Sequence, residues 1–339
     1  MKTLKIHGPE RIAIEEAPLP EPGPGQVRVR MMYGGICGSD LHYYFHGRNG
    51  AFVVTEPFTP GHEMSGVIDL DLSGTWPEGT AVTIAPAGFG TPEPGIEDRK
   101  YLWPGGNYFG SASTIPHTQG GMSEYRLVEN FQVRVLPEGL SLRDAALAEP
   151  LAVALHAIAI AGGVQGRQVL VTGSGPIGLC VVAAAATLGA AGVTATDMLD
   201  GPLERARGVG ATETVRVGVE QVPDLSYDVV FECSGVAPAV SQALAARRAG
   251  TVVQVGMLPG EPITVNLEPL VSREVRYLGT FRFDDEIDQA IAMLAEHPKI
   301  GQLITHVIAA DDIVTAFNTA RNSQESGKVV VSLWLDDDA

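Results

Sequence analysis

One uncharged segment, Val169 to Thr196, restricts what this chain can fold into more than any other part of it. At that length it could span a bilayer, but it opens on a β-branched run and carries Gly173, Gly175, Pro176, Gly178 and Gly189. Such punctuation breaks a spanning helix, so the segment reads as a buried strand, a turn and a helix. In the turn Gly173-Ser174-Gly175-Pro176-Ile177-Gly178 the glycines have separate tasks. Gly173 lets the chain turn tightly, Gly175 lets a pyrophosphate come close to the backbone, and Gly178 lets helix pack on strand. The helix N-terminus adds the positive end of its dipole. Glycines gather in turns for backbone reasons alone, so the context decides. An apolar strand precedes, a helix follows, and Asp197 ends the next strand 24 residues beyond Gly173, near the place where an acidic residue meets an adenosine ribose. Asp197 accepts from ribose hydroxyls and repels a 2′-phosphate, and Met198 and Leu199 supply no compensating arginine. The expected cofactor is NAD, with NADP disfavoured.

Strand and helix alternate around this turn. Strands are expected at 168–172, 192–196, 228–232 and 251–255 with helices between them, the pattern of βαβ units and a doubly wound parallel sheet of Rossmann type. The ends of those strands mark the expected cofactor wall, at Cys233 and Ser234 and at Val255 and Gly256. Cys233 taken alone is more often a packing residue. A nearly all-apolar stretch at 144–161 reads as one helix, 285–295 and 311–322 as two more, and 328–334 as a final strand. The first third is different. It holds short alternating runs such as Val27-Arg28-Val29-Arg30-Met31 and Ala81-Val82-Thr83-Ile84, broken by Gly and Pro, the texture of an irregular β domain. A chain of 339 residues exceeds what one core usually fills. The expected fold class is α/β, with a β-rich domain in the first third and a doubly wound Rossmann sheet after it.

Lys plus Arg number 23 against 40 Asp plus Glu, a net charge of −17 that lacks the basic footprint of a nucleic-acid binder. The N-terminus, Met1-Lys2-Thr3-Leu4-Lys5-Ile6-His7-Gly8-Pro9, has no apolar signal region, so a cytoplasmic protein without membrane association is expected. The acidic run Asp336-Asp337-Asp338 reads as a solvated end. Cys37, Cys180 and Cys233 lie too far apart to resemble a disulfide framework.

Cys37 stands in Gly34-Gly35-Ile36-Cys37-Gly38-Ser39-Asp40-Leu41-His42, and His62 in Gly61-His62-Glu63. A sulfur, an imidazole and a carboxylate, with a fourth position open, make a catalytic zinc set. Each residue alone is usually a packing cysteine or a satisfied histidine. The combination carries the reading, because Ser39 and His42 offer a hydroxyl and an imidazole able to pass a proton from an alcohol to water. The third ligand is Glu63, adjacent to His62, or Glu149 in Ala148-Glu149-Pro150. Metal and nicotinamide cofactor in one chain point to metal-assisted hydride transfer from an alcohol.

Taken in order, Gly35 to Tyr44, Gly47-Arg48, Gly61-His62-Glu63, Glu149-Pro150-Leu151-Ala152-Val153 and the Gly173 to Gly178 turn resemble the zinc-dependent medium-chain dehydrogenases over essentially the whole chain. Within them the resemblance is to the polyol branch of sorbitol dehydrogenase and L-idonate 5-dehydrogenase. It implies a GroES-like catalytic domain at 1–152 completed by 285–339, a Rossmann domain at 153–284 between them, an active site in the cleft, and a homo-oligomer, dimer or tetramer. It also implies zinc on Cys37 and His62, a carboxylate from Glu63 or Glu149 bound directly or through water, and a proton relay through Ser39 and His42.

Tyr43 and Arg282 resemble positions that face a small polyol or sugar-acid substrate. Without the resemblance they read as a surface tyrosine and a structural arginine. An arginine near the metal could fork onto the carboxylate of a sugar acid such as L-idonate, or bond a polyol hydroxyl. Phe283 lacks the hydroxyl that animal sorbitol dehydrogenases carry beside their arginine, which tilts the reading towards a sugar acid. Threonine dehydrogenase-like and simple alcohol activities are the alternatives. A zinc-free quinone-type reductase and a non-catalytic cofactor-binding protein are opposed by Cys37, His62, Glu149 and the relay pair. The zinc-dependent branch usually carries a second, structural zinc on four closely spaced cysteines, and none occurs between Ala85 and Gly121. One catalytic zinc is therefore expected, with that lobe held by apolar packing of Tyr101, Leu102, Trp103 and Phe109, which could lie against a neighbouring subunit.

Overall fold

The strand Gln26–Gly35 alternates buried and half-buried residues, because one face of a strand meets the core and the other does not. It is the centre of a seven-stranded sheet, flanked on one side by Glu63–Asp71 and on the other by Lys328–Ser332. Val330 pairs with Gly35 and Ser332 with Tyr33, so the end of the chain completes the sheet built by its beginning. Leu4, Met31, Phe58 and Ile68 from the first third share a core with Phe317 and Val331 from the last tenth. The computed structural model describes residues 1–244 and 246–334; the acidic run at 336–338 lies outside the described residues.

The second sheet has six parallel strands, in the order Glu213–Arg216, Gly192–Asp197, Gln168–Thr172, Val229–Glu232, Thr251–Gln254, Arg276–Gly279. The order reverses between Gln168–Thr172 and Val229–Glu232, and the crevice beyond their carboxyl ends is where such sheets hold ligands. The uncharged segment is a strand, a turn and the helix Pro176–Thr187, packed against the helix Ala148–Ile160 in one core. Among the described residues no helix is long and apolar enough to cross a membrane.

The expected helix at 144–161 is two. Leu142–Ala145 is capped by Ser141, whose Oγ accepts from the Asp144 amide at 3.1 Å. Ala148–Ile160 then starts afresh, with Pro150 in its first turn, where a missing amide hydrogen costs nothing. The strands Glu213–Arg216, Arg276–Gly279 and Ile304–Ala309 had no expectation attached. They are short, and most of their residues are exposed or half-buried, so the apolar alternation is faint.

The lobe around 88–110 departs from expectation. Leu102 is 39% exposed, and Tyr101 and Trp103 are half-buried; only Phe109 of the four joins the core. Polar contacts hold the lobe instead. Trp103 Nε1 donates to the Ile96 carbonyl at 2.9 Å, and Lys100 Nζ donates to Asp285 at 2.8 Å while lying over the Phe89 ring. A loop so rich in Gly and Pro has too little regular structure to bury several rings at once.

Candidate active site

Cys37 caps the helix Gly38–His46, and its amide donates to Asp40 Oδ2 at 3.0 Å. The other oxygen of Asp40 accepts from the Gly61 amide at 3.1 Å, so one fully buried carboxylate ties the cysteine loop to the loop that carries His62. Burial pushes the Asp40 carboxyl up. Its signal in the sequence was the three-residue capping spacing from Cys37, which the metal reading passed over.

The sulfur of Cys37, a ring nitrogen of His62 and a carboxylate oxygen of Glu63 all lie within 4.8 Å of one another. Burial lowers the His62 imidazole, but Cys37 and the Glu149 and Asp40 carboxylates outweigh it and push it up to about 10. Such a nest of thiol and carboxyl donors suits a cation. His62 Nδ1 is buried without a hydrogen-bond partner. An orphaned imidazole nitrogen beside a thiol and a carboxylate fits a zinc ion.

The two candidate carboxylates have different surroundings. Glu63 is fully buried, and Lys328 Nζ donates to its oxygens at 2.6 and 2.7 Å and to the Ile36 carbonyl at 3.1 Å. Gly35 makes room for it, since a Cβ there would stand 2.0 Å from Glu63 Oε2. Glu149 faces a cleft of about 220 Å³ together with Cys37, Ser39, His62, Tyr108 and Arg282. It accepts from the Tyr108 hydroxyl at 2.5 Å, and burial above all pushes its carboxyl up. Tyr108 and Lys328 escaped the sequence reading, for neither sits in a recognisable spacing.

Ser39 lines the cleft, but His42 is exposed and opens instead on an adjoining cavity with His46 and Arg48. No hydrogen bond joins the relay pair among the described residues. Tyr43 is not a surface tyrosine. It is 1% exposed, its hydroxyl accepts from the Ala112 amide at 3.2 Å, and it lines the cleft. Arg282 reaches the cleft from a left-handed backbone, φ 55°, with its guanidinium between the rings of Tyr108 at 4.1 Å and Phe281 at 4.7 Å. Phe283 is buried in the core beneath and does not line the cleft, so its missing hydroxyl says nothing about substrate.

The glycine turn lies beside this cleft. A Cβ on Gly178 would stand 1.9 Å from the Gly173 carbonyl oxygen, and Gly173 itself has φ 84°. Space beyond Gly175 is open, and the helix beginning at Pro176 has no side-chain cap, leaving its amides for an anion. Ile177 and Val255 border the cleft. The groove, of about 760 Å³, runs past Asp197, Met198, Leu199, Ser234 and Val236. Asp197 accepts from the Ser174 and Leu199 amides, both at 3.0 Å. Gly256 packs so closely that a Cβ would meet the Gly235 amide nitrogen at 2.5 Å. Cys233 lies beneath the turn and not on the groove wall, and burial pushes its thiol well up. Glu232, unremarked in the sequence, is fully buried and accepts from the Ser234 and Gly235 amides, each at 2.9 Å, fixing that loop.

Residues 23–138 match the family model described as the alcohol dehydrogenase GroES-like domain, and 176–296 match that described as zinc-binding dehydrogenase. Sorbitol dehydrogenase of Bos taurus is 35% identical over 338 residues, covering 94% of this chain and 92% of its own. L-idonate 5-dehydrogenase (NAD(P)(+)) of Escherichia coli (strain K12) is 35% identical over 297 residues, covering 86% of each chain. The crystal structure of L-idonate 5-dehydrogenase from Escherichia coli superposes with a TM-score of 0.92 at 32% identity, over 98% of this chain and 97% of that one. The chain therefore belongs to the zinc-binding alcohol dehydrogenase family, as a dehydrogenase built from a GroES-like domain and a Rossmann sheet.

Proposed function

We propose that this dehydrogenase oxidises a secondary hydroxyl of a sugar acid, in preference to a neutral polyol, with NAD as the acceptor. The observation that carries the reading is Arg282. Its guanidinium stands in the cleft, pressed between two rings and without a hydrogen-bond partner among the described residues. A planar fork left open beside the metal donors fits a substrate carboxylate better than a lone hydroxyl. The names of the sorbitol and L-idonate relatives support both substrate classes.

In this reading Cys37, His62 and Glu63 hold the zinc, and Glu149, fixed by Tyr108, borders its open side. Zinc so held supplies Lewis acidity that eases deprotonation of a hydroxyl, and a nicotinamide in the groove supplies the hydride acceptor. Ser39 takes the hydroxyl proton and His42, already near water, delivers it outward; burial and the neighbouring His46 push that imidazole down, so it is neutral and able to accept. Ile177 and Val255 keep water from the reacting carbon. Part of the same reading is a homo-oligomer, supported by the open sheet edge at Arg276–Gly279 and by Val271, which is 85% exposed.

A panel of aldonates and polyols with NAD and NADP on zinc-loaded protein tests the substrate. An aldonate is expected to give the highest kcat/KM. Arg282→Ala should lower it about 10- to 100-fold for the aldonate, the loss of a charge-assisted fork, but only a few-fold for a neutral polyol. Equal losses would remove the sugar-acid reading.

NAD over NADP is supported by Asp197 and by the exposed Met198 beside it, while the nearby Arg216 pairs with Asp200 at 2.9 Å. Asp197→Ala should raise the KM for NAD roughly tenfold or more and narrow the gap to NADP, since acceptor and repulsion vanish together. An unchanged ratio of the two cofactors' kcat/KM would show that Asp197 does not read the ribose.

A further inference from the structure

A second cavity, of about 460 Å³, opens on the N-terminal sheet, with Lys5, Asn107, Phe109, Gln119 and Arg126 in its walls. It shares with the active cleft only the ring of Phe109. Arg126 rises from the strand Tyr125–Glu129, where it pairs with Val29. Its side chain is half-buried, and its Nε is enclosed without a hydrogen-bond partner. No carboxylate among the described residues pairs with this guanidinium; what it touches is the face of Phe109, 4.9 Å from the ring centre.

A guanidinium with an enclosed, unpartnered nitrogen and no counter-charge is costly. Two other enclosed cations avoid that cost, Arg28 by its bond to Asp69 and Lys328 by its bond to Glu63. Arg126 has no such partner, and burial alone pushes it down to about 10, still charged at neutral pH. Lys5 brings a second cation to the same cavity, its Nζ donating to Gln119 Oε1 at 2.6 Å. An ammonium carries three donors, so that bond does not exhaust it. The one carboxylate in the wall, Glu129, accepts from Gln26 at 2.9 Å. Volume and donors together suit a small anion.

We propose that this cavity is a binding site for a small oxyanion, a phosphate or a carboxylate, which forks onto Arg126 and is drawn in by Lys5. A guanidinium presents paired N–H donors in one plane, the geometry that two oxygens of either group accept. The site is independent of the substrate reading, because none of its polar residues faces the active cleft.

The test uses the zinc-loaded enzyme saturated with its reduced cofactor, so that the groove for pyrophosphate is filled, with inorganic phosphate as the probe and chloride holding ionic strength constant. Titration calorimetry is expected to find saturable binding of phosphate, matched by a saturable rise in Tm. Arg126→Met should weaken binding at least about tenfold, and Arg126→Lys, which keeps the charge and loses the fork, should lie between. Lys5→Met should give a smaller loss and keeps the test open where Arg126→Met folds poorly. Phosphate binding that is absent in the parent enzyme, or equal in the parent and both variants, would overturn the proposal. So would dissociation of an oligomer on Arg126→Met with no phosphate binding to the parent, since the guanidinium would then pair with a carboxylate of a second copy.

Discussion

Cys37→Ala and His62→Ala are each expected to lose alcohol oxidation by at least about three orders of magnitude while binding reduced cofactor nearly as well as the parent. The size follows from the several kcal/mol that a Lewis acid contributes to charge developing on oxygen, at 1.36 kcal/mol per factor of ten. The separation follows from the architecture. Both residues hang from the N-terminal sheet and its first helix, whereas the glycine turn and Asp197 belong to the parallel sheet. Metal analysis and a fluorescence titration with NADH read the two losses apart. Turnover near the parent value in either variant would show that these residues do not hold the catalytic metal.

In the metal-free protein Lys328→Met is expected to destabilise the chain by about 3–5 kcal/mol, the cost of leaving the buried Glu63 carboxylate without its counter-charge. Lys328 and Glu63 are both buried, and the ammonium satisfies both carboxylate oxygens and one backbone carbonyl at once. The double variant Lys328→Met, Glu63→Gln should recover much of the loss, because no charge is then left unpaired. The pH dependence has a definite sign. Burial lowers the Lys328 ammonium, but Glu63 outweighs it and raises it above the usual 10.5. Its contribution is therefore complete below the ordinary lysine range and fades only as pH climbs through the higher folded value. The gap between parent and variant in denaturant midpoint should not narrow as pH rises from about 6 to about 9. A gap that closes within that range would mean the pair contributes little.

The parallel sheet was legible because its signal is local. The run Gln168–Thr172 is apolar, the glycines after it can be explained one by one, and Asp197 falls where the next strand ends. Cys37 and His62 were legible as donors for a similar reason, since each sits in a compact run of small and polar residues. What escaped was whatever depends on a partner distant in sequence. Nothing near Lys328 announces that it will meet Glu63, 265 positions earlier. Nothing near Asn107 announces that Tyr108 will hold Glu149. Phe283 failed in the opposite way, for a residue beside Arg282 in sequence points into the core while Arg282 points into the cleft. The aromatic run at 101–103 misled because apolar type was taken as burial, and a loop of short turns leaves such rings half in water.

The strand Lys328–Ser332 has a consequence for the order of events during synthesis. A ribosome delivers Cys37, His62 and Glu63 early, but the hydrogen bonds to Gly35 and the ammonium that pairs with Glu63 arrive only with Lys328–Ser332, some 265 positions later. Until then the edge of Gln26–Gly35 that will take this strand is unpaired and a carboxylate waits in an apolar wall without a cation. The six strands of the parallel sheet all lie before residue 280 and can pair first. The half that carries Cys37 and His62 is thus expected to become native last, and a nascent chain still tethered near residue 320 should hold a paired parallel sheet beside an incomplete N-terminal one.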